Sequence, residues 1–415
     1  MSHEASGRNG VQRGRAPRAG TLTHAVLRLV WEQRRISRAD IARLTGLSRS
    51  TITEIVSELL PTGLVRELGA GPSRGGRPPI VLEFDDNAAR ILGIEMGAAH
   101  VAVALTDLRG EVLAWQHSAH AVRDDPVGTR AEIARLVAAC LAQVPGARRR
   151  LLGLGIAVPA PVDPRHPDRL SGLVLPEWHG RSGFRALASR LRVPLFVDND
   201  ANLGALAEHW WGAGRGIDDF AYVKLATGVG SGHFVRGDVY RGATGVAGEI
   251  GHMAIDPHGK PCVCGLRGCL ATFVGAPALV ARAEELLPRH PRSRLARAAP
   301  TIESIEDAAL AGDALGLQIV REAAGHLGIA IAGLLNLMNP RLVILGGGLA
   351  RLGDLLLDPL RDVVRNRTLV SSLAAAEVRT SELGPRSIAI GATALVLDAA
   401  LDDLRMFPAP AERTA

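Results

Sequence analysis

The sequence predicts two unlike parts: a small basic helical module at the N-terminus and a much larger α/β body built twice on one plan. Three observations carry this. Residues 1–80 hold thirteen Arg against six Asp/Glu, a surplus of seven positive charges in a chain whose net charge is +6. Two short, polar-capped helical segments flank Gly46. Further on, a pattern of strand, Gly-rich turn, strand, turn and strand occurs twice.

The 415 residues suffice for two or three domains, and 47% hydrophobic with 22% charged residues describes an ordinary globular chain. The longest apolar run, 327–338, is broken by Gly333 and Asn336 and is too short to span a bilayer. The N-terminus is polar and Arg-rich with no apolar stretch, which excludes a secretory signal. Four cysteines, three of them clustered, make no disulfide framework. They fit a reduced, cytoplasmic chain with a metal site and no membrane partner.

Residues 1–20, Gly- and Arg-rich without periodicity, read as a disordered basic arm. In "TLTHAVLRLVWEQRRISRADIARLTGLSRSTITEIVSELLPTGLVREL", Val26, Leu29 and Val30 recur at helical spacing. Ser37 opens an S-x-x-D capping box ahead of Ile41 and Leu44. Gly46 supplies a turn, and Ser48 caps a further helix with Ile52, Ile55, Val56 and Leu59 on its buried face. Pro61 and Gly63 end it. This is the pattern of a helix-turn-helix. Arg49, Ser50, Thr51 and Thr53 face outward near the N-terminus of the second helix, the end that would enter a major groove. "LVREL" and "GRPPIVLEF" form the two strands of a wing. Between them Arg74 and Arg77, held by Gly and Pro, are placed for a minor groove or phosphates. A solvated basic tail or a helical-hairpin protein-binding module is the alternative. Charge, caps, turn and wing together favour double-stranded DNA.

From Arg90 the pattern becomes strand and turn. "ILGIEMGAAHVAVALTDLRGEVLAW" reads as a three-strand meander and "FAYVKLATGVGSGHFVRGDVYRG" repeats it, each followed by helical segments. A duplicated α/β domain with a cleft between two lobes follows. Three Gly-rich turns are candidates for phosphate binding: Glu95 and Gly97 in "GIEMGAAH", Thr227, Gly228 and Gly230 in "LATGVGSG", and Gly346 and Gly347 in "LVILGGGL". Each is equally compatible with a tight strand connection. In "PLFVDNDANLGALAEHWWG" a strand ends in Asn199 and Asp200. This amide and carboxylate suit vicinal hydroxyls, and either residue equally suits a helix N-cap. "GEIGH" adds Glu249 and His252, three apart and able to face one cleft.

"SRADIARLTGLSRSTITEIVSELLPTGLVRE…GGRPP", "GIAVPAPVD", "FVDNDANLGALAE", "GEIGHMAIDPHGKPCVCGLRGCL" and "VILGGGL" together resemble the ROK family (repressors, open reading frames and sugar kinases), over residues 21–403. The histidine-to-cysteine stretch is the most specific part. The resemblance implies a winged helix-turn-helix over 21–85 and a two-lobed, actin-like (ribonuclease-H-like) sugar-kinase-type domain. Its lobes would span 86–200 and 201–385, the second carrying a zinc loop. A C-terminal helix over 386–403 would pack back on the first lobe, and 404–415 would form a tail. It further implies that His252, Cys262, Cys264 and Cys269 bind one structural zinc. A Cys₃His set satisfies a tetrahedral ion without an open position, so it braces the Glu249 segment and does not catalyse. Reduced core cysteines are the alternative; Cys140, in a predicted helix, is read as core. Asn199 and Asp200 match the family's sugar-gripping pair, with Asp200 at the position of its kinases' base, and Glu249 and His252 match further sugar contacts.

Three departures from the family's kinases bear on activity. Ala98 and Ala99 after Gly97 remove a Gly and a phosphate-contacting Thr, and Ala226 stands where a Gly is usual. Ala271 replaces a sugar-binding Glu, a charge-assisted hydrogen bond worth about 1.5–3 kcal/mol. Phosphoryl transfer rests on positioning and charge stabilisation around the γ-phosphate, so the first two departures count against ATP. The expectation is therefore a DNA-binding transcriptional regulator, a repressor of carbohydrate metabolism or transport genes. A sugar or sugar derivative would fill its cleft, and a homodimer or tetramer would sit on an inverted-repeat operator. The second reading is an ATP-dependent sugar kinase with Asp200 as base and a fused DNA-binding domain; the third is a protein-interaction scaffold.

Overall fold

The structure, a computed structural model, describes residues 22–70, 80–368 and 376–410. The basic arm, Arg74 and Arg77 lie outside the described residues. The chain divides into two compact units, one ending at Asp85 and one beginning at Asp86, with Leu401–Leu404 counted with the first.

The first unit holds α1 (Leu22–Gln33), β1 (Arg35–Ser37), α2 (Arg38–Thr45), α3 (Arg49–Leu59), β2 (Val65–Ala70) and β3 (Ile80–Phe84). Ser37 caps α2 by accepting from the Asp40 amide, and Ser48 caps α3 by accepting from the Thr51 amide, each at 3.1 Å. Gly46, at φ 72°, takes the left-handed turn between them, where a Cβ is disfavoured. Val26, Leu27, Val30, Ile41, Ile52, Ile55, Val56 and Leu59 are buried together with Leu82 of the sheet. This is a winged helix-turn-helix.

Three expectations need correction. The wing is three-stranded, in the order β1-β3-β2, because Ile36 pairs with Leu82 across β1 and β3. Leu44 is 50% exposed, so α2 buries Ile41 alone. The second arm of the Ser37 box runs from the Ser37 hydroxyl to Asp40 Oδ2 at 2.7 Å; the backbone of Ser37 belongs to β1, opposite Val81.

The second unit contains two five-stranded sheets of the same topology. One lobe comprises β4 (Arg90–Met96), β5 (His100–Thr106), β6 (Val112–Ala119), α4 (Pro126–Gln143), β7 (Leu151–Val158), α5 (Arg185–Leu191) and β8 (Leu195–Asn199). Helix α6 (Asp200–Trp211) leads to the other lobe, with β9 (Phe220–Leu225), β10 (Val229–Val235), β11 (Asp238–Tyr240), α7 (Ala271–Val274), α8 (Ala276–Leu286), α9 (Ile302–Leu310), α10 (Ala314–Met338), β12 (Leu342–Gly347), α11 (Asp354–Arg367) and β13 (Glu377–Thr380). The orders are β6-β5-β4-β7-β8 and β11-β10-β9-β12-β13. In each, a three-strand antiparallel meander is extended by two strands parallel to its first. The echo in the sequence is a structural duplication.

The helical stretch Gly384–Asp402, which takes in α12 (Ser387–Asp402), is long and apolar enough by length and composition alone to cross a membrane, whereas the sequence analysis names only the shorter run 327–338. Its apolar window is 67% buried, and its backbone lies on the first sheet. A Cβ added at Gly155 of β7 would stand 2.0 Å from the Ala392 carbonyl oxygen. Only glycine permits that approach. Buried Leu203, Phe220, Tyr222, Ile344, Ile388 and Ala392 form one cluster that joins α6, α12 and the second sheet. Cys140 is buried in α4, and burial pushes its thiol up to about 11.

Candidate functional site

On α3 the buried residues leave Arg49, Ser50 and Thr53 exposed and Thr51 half-buried. The Ser48 hydroxyl lies 2.7 Å from that of Ser50 and 2.8 Å from that of Thr51, and Thr53 donates to the Arg49 carbonyl at 2.9 Å. The N-terminal end of the helix thus carries one guanidinium and a cluster of hydroxyls, each able to rotate to an outside acceptor. Exposed Glu54 and Glu58 follow toward the other end. With phosphates nearby, only the N-terminal half suits close approach.

The second unit brings Asp200, Glu95 and Glu249 toward one place from different elements. Asp200 opens α6 directly after β8 and is buried. Its Oδ2 accepts from Lys224 Nζ of β9 at 2.5 Å. Lys224 is buried as well, and sequence reasoning passed over it. Burial alone would lower the lysine's pKa, but Asp200 and Glu95 more than offset this and raise it. The signal was present: a single cation inside the otherwise apolar "FAYVKL" needs a buried partner.

Asn199 realises the N-cap alternative. Its Oδ1 accepts from the amides of Ala201 and Asn202 at 2.9 and 3.2 Å, and its Nδ2 donates to the Ala160 carbonyl at 3.2 Å. Beside it, buried Asp198 accepts from Arg241 at 2.7 Å and from Asn202 at 3.1 Å. Glu249 is half-buried, its carbonyl accepts from the His252 amide at 3.0 Å, and its carboxylate has no hydrogen bond among the described residues; burial, then Asp200, raises its pKa.

The three Gly-rich turns differ. At the first, the His100 ring folds back over Gly97, where a Cβ would lie 2.3 Å from Cε1. The same ring holds buried Glu95 at 3.2 Å. At the third, the Tyr222 hydroxyl occupies the space a Cβ on Gly346 would take, and a Cβ on Gly347 would meet the Leu225 carbonyl at 2.1 Å. Beside them, the buried Glu306 carboxylate lies 2.8 Å from the corresponding point on Gly348 and is bound by Arg351 at 3.2 Å. The second turn is open: Thr227 and Gly228 are exposed, and a Cβ on Gly228 would meet nothing within 4 Å. Gly230, in β10, faces Ala201 of α6.

His252, Cys262, Cys264 and Cys269 converge, their ligand atoms all within 4.8 Å of one another. His252 Nδ1 is 3.6 Å from Cys262 Sγ, and Cys264 Sγ is 3.6 Å from Cys269 Sγ. Zinc bonds of about 2.3 Å to sulfur and 2.0–2.1 Å to nitrogen at a tetrahedral angle would set these separations at roughly 3.5–3.8 Å. Two of the separations thus match a tetrahedral site, and the cluster could hold one metal ion. His252 Nε2, on the other side of the ring, is 3.9 Å from Glu249.

A winged helix-turn-helix carried on a duplicated, two-lobed actin-like body of the sugar-kinase type defines a DNA-binding transcriptional regulator. The chain belongs to the ROK family: the model described as "ROK family" matches residues 91–399, and one described as "Winged helix-turn-helix DNA-binding" matches residues 21–66. It is 30% identical over 371 residues to the xylose repressor of Bacillus subtilis, covering 89% of this chain and 93% of that one. Among solved structures, a ROK family transcriptional regulator described as a homologue of the E. coli MLC protein aligns over 92% of this chain and 96% of its own, with a TM-score of 0.75 and 26% identity. A ROK family glucokinase from Streptomyces griseus, in complex with glucose and AMPPNP, aligns over 74% of this chain and 99% of its own, with a TM-score of 0.65 and 29% identity. The glucokinase likeness accounts for most of the second unit in extent, and the regulator likeness takes in the N-terminal unit too.

Proposed function

We propose that the chain represses genes of carbohydrate metabolism or transport and leaves its operator when a sugar or sugar derivative fills the cleft beside Asp200, Glu249 and His252. The observation that carries the non-catalytic half of this reading is the buried Asp200–Lys224 pair. A kinase base must take a proton from the attacking hydroxyl. A proton arriving on Asp200 would instead dissolve a buried ion pair and leave an ammonium poorly compensated, at a cost of several kcal/mol. Held by Lys224, Asp200 can accept from a ligand hydroxyl and keep it without taking its proton. Two turns argue in the same direction. The His100 ring covers the first, and the Glu306 carboxylate sets negative charge beside the third, where a nucleotide would bring more.

Arg49, Ser50, Thr51 and Thr53 read the major groove, and Arg74 and Arg77 supply the wing contacts. His252, Cys262, Cys264 and Cys269 hold one zinc ion, which supplies a tetrahedral crosslink and no open position. The protein works in the cytoplasm, as a homodimer or tetramer whose symmetry matches an inverted repeat. A kinase function is the second reading, favoured by the open Thr227–Gly228 turn and the retention of Asp200.

The test has two arms on the full-length protein. A gel-shift titration on its own upstream DNA is expected to show salt-sensitive binding to one site. An ADP-release assay over hexoses and amino sugars is expected to show no turnover. Turnover that Asp200→Asn abolishes would replace the regulator-only reading with the kinase.

A further inference from the structure

Two stretches of the first lobe, 144–157 and 181–194, hold seven Arg and no Asp or Glu. The fold sets them side by side. The first leads into β7 and the second into β8, and these strands pair in parallel, with Leu154 opposite Leu195. Arg148 Nη2 donates to the Arg190 carbonyl at 3.3 Å and ties the two approaches together. Arg148, Arg149, Arg190 and Arg192 are all exposed. None of the four forms an ion pair among the described residues, whereas Arg185 in the same stretch is held by Asp168.

A helix end accounts for part of this, because cations are favoured at a helix C-terminus and Arg190 and Arg148 stand at that of α5. Arg192 is different. It caps α5 at φ 59°, a left-handed position where a Cβ is disfavoured and Gly is usual. No bond of its guanidinium among the described residues offsets that. Like charges gathered in one place also repel, and an anion from outside removes the repulsion. The position of the row is equally definite. It lies at the N-terminal ends of the parallel strands, whereas Glu95, Asn199 and Asp200 lie at their C-terminal ends, roughly 20 Å away along a strand of this length. A ligand in the cleft does not reach it. Arg90 opens β4 beside Leu151 at this same end of the sheet, five residues after Asp85, where the DNA-binding unit ends.

We propose that Arg148, Arg149, Arg190 and Arg192 bind the phosphate backbone of DNA that flanks the operator, a sequence-independent contact made by the second unit. Guanidinium groups pair with phosphate oxygens through strong, charge-assisted hydrogen bonds. Such contacts hold a protein on the duplex without reading its bases. A polyanion answers all four charges at once, which a small anion does not. Continuity of the chain with the helix-turn-helix makes DNA the polyanion at hand.

Fluorescence anisotropy of the full-length, zinc-loaded protein tests this on two duplexes from its own upstream DNA. One is trimmed to the bases whose substitution weakens binding. The other adds about ten base pairs of unrelated sequence, one helical turn, on each side. At low salt the wild type is expected to bind the longer duplex roughly tenfold or more tightly. Its affinity should also fall more steeply with salt, since each phosphate contact adds about 0.9 to the log–log slope. Arg148→Gln, Arg149→Gln, Arg190→Gln and Arg192→Gln together should abolish the preference while the short duplex is bound as before. The four corresponding Arg→Lys changes keep the charge and should retain most of it. Equal affinities and slopes for the two duplexes in the wild type overturn the inference; capture of poly-glutamate by the wild type but not by the Gln variant would then assign the row to an acidic protein. A preference that survives the four Gln changes overturns the role of these residues. Failure to bind either duplex overturns the operator reading itself and this inference with it. Should the Gln variant not fold, the wild-type length and salt series decide alone.

Discussion

Lys224 stands in β9 between buried Val223 and Leu225, and a cation in that strand is tolerable only because Asp200 and Glu95 answer it. Replacing it with Met keeps most of the volume but leaves buried Asp200 without its paired cation and removes a positive charge near Glu95. Breaking a buried pair from one side typically costs about 3–5 kcal/mol, whereas removing both partners is far less harmful. Lys224→Met is expected to lower the melting temperature by many degrees, and Lys224→Met with Asp200→Asn to recover a large part of the loss. Equal melting temperatures for the wild type and the single variant would show that the pair contributes nothing to folding. This pair was the least legible part of the site. Lys224 sits just before the Gly-rich turn "LATGVG" and His100 just after Gly97, so neither belongs to the turn pattern that marks these segments in sequence. Asn199 and Asp200 were found by type and position. Their spacing was equally that of a helix cap, and the Asn199 side chain does serve as the cap.

Helix caps and turns carried most of what the sequence revealed about individual elements. Ser37, Gly46 and Ser48 act locally, through hydrogen bonds within three residues and one left-handed turn, so short-range pattern suffices to find them. Strand β1 spans three residues and exists only through its pairing with β3, which lies more than 40 residues away in the chain. No periodicity exists in so short a piece. Likewise α12 shows no strong face in sequence, because two different neighbours, the first sheet and α6, bury it from different sides: a Cβ at Gly391 would stand 1.9 Å from the Leu203 carbonyl oxygen. The metal loop was legible because four ligands, one His and three Cys, stand at short spacing and suit one tetrahedron. Between Glu249 and Cys269 the described secondary structure is a short 3₁₀ turn, Ile250–His252, and two isolated antiparallel bridges, Ala254–Cys269 and Pro261–Arg267. Bound metal would add a crosslink to this small hydrogen-bonded frame. Treatment with a strong chelator is expected to lower the melting temperature and to weaken sugar binding, with both restored by zinc. A Cys264→Ser variant should behave as the chelated protein does. Insensitivity of both quantities to chelation would remove the loop from the binding mechanism.

For the whole molecule, the duplication explains how one architecture can serve both a kinase and a sensor. A ligand held by Asp200 from the first lobe and Glu249 from the second changes the free energy of the arrangement that brings them together. It can influence DNA binding only through a difference in affinity between two states. That requirement is reciprocal: if sugar weakens operator binding by some factor, operator must weaken sugar binding by the same factor. For a coupling of about 1–3 kcal/mol the factor lies between roughly 5 and 150, within reach of direct titration. Fluorescence anisotropy with labelled operator, repeated at rising concentrations of the best-bound sugar, gives one factor. Titration of that sugar into free and operator-saturated protein gives the other. Equal factors greater than one are expected. Asp200→Asn, in protein verified as folded, should collapse both toward one while operator affinity without sugar stays near the wild-type value, because Asp200 lies in the second unit and the residues proposed to read the groove lie in the first. Operator affinity that does not respond to a sugar the protein demonstrably binds would separate the cleft from transcription and return the second unit to the question of catalysis.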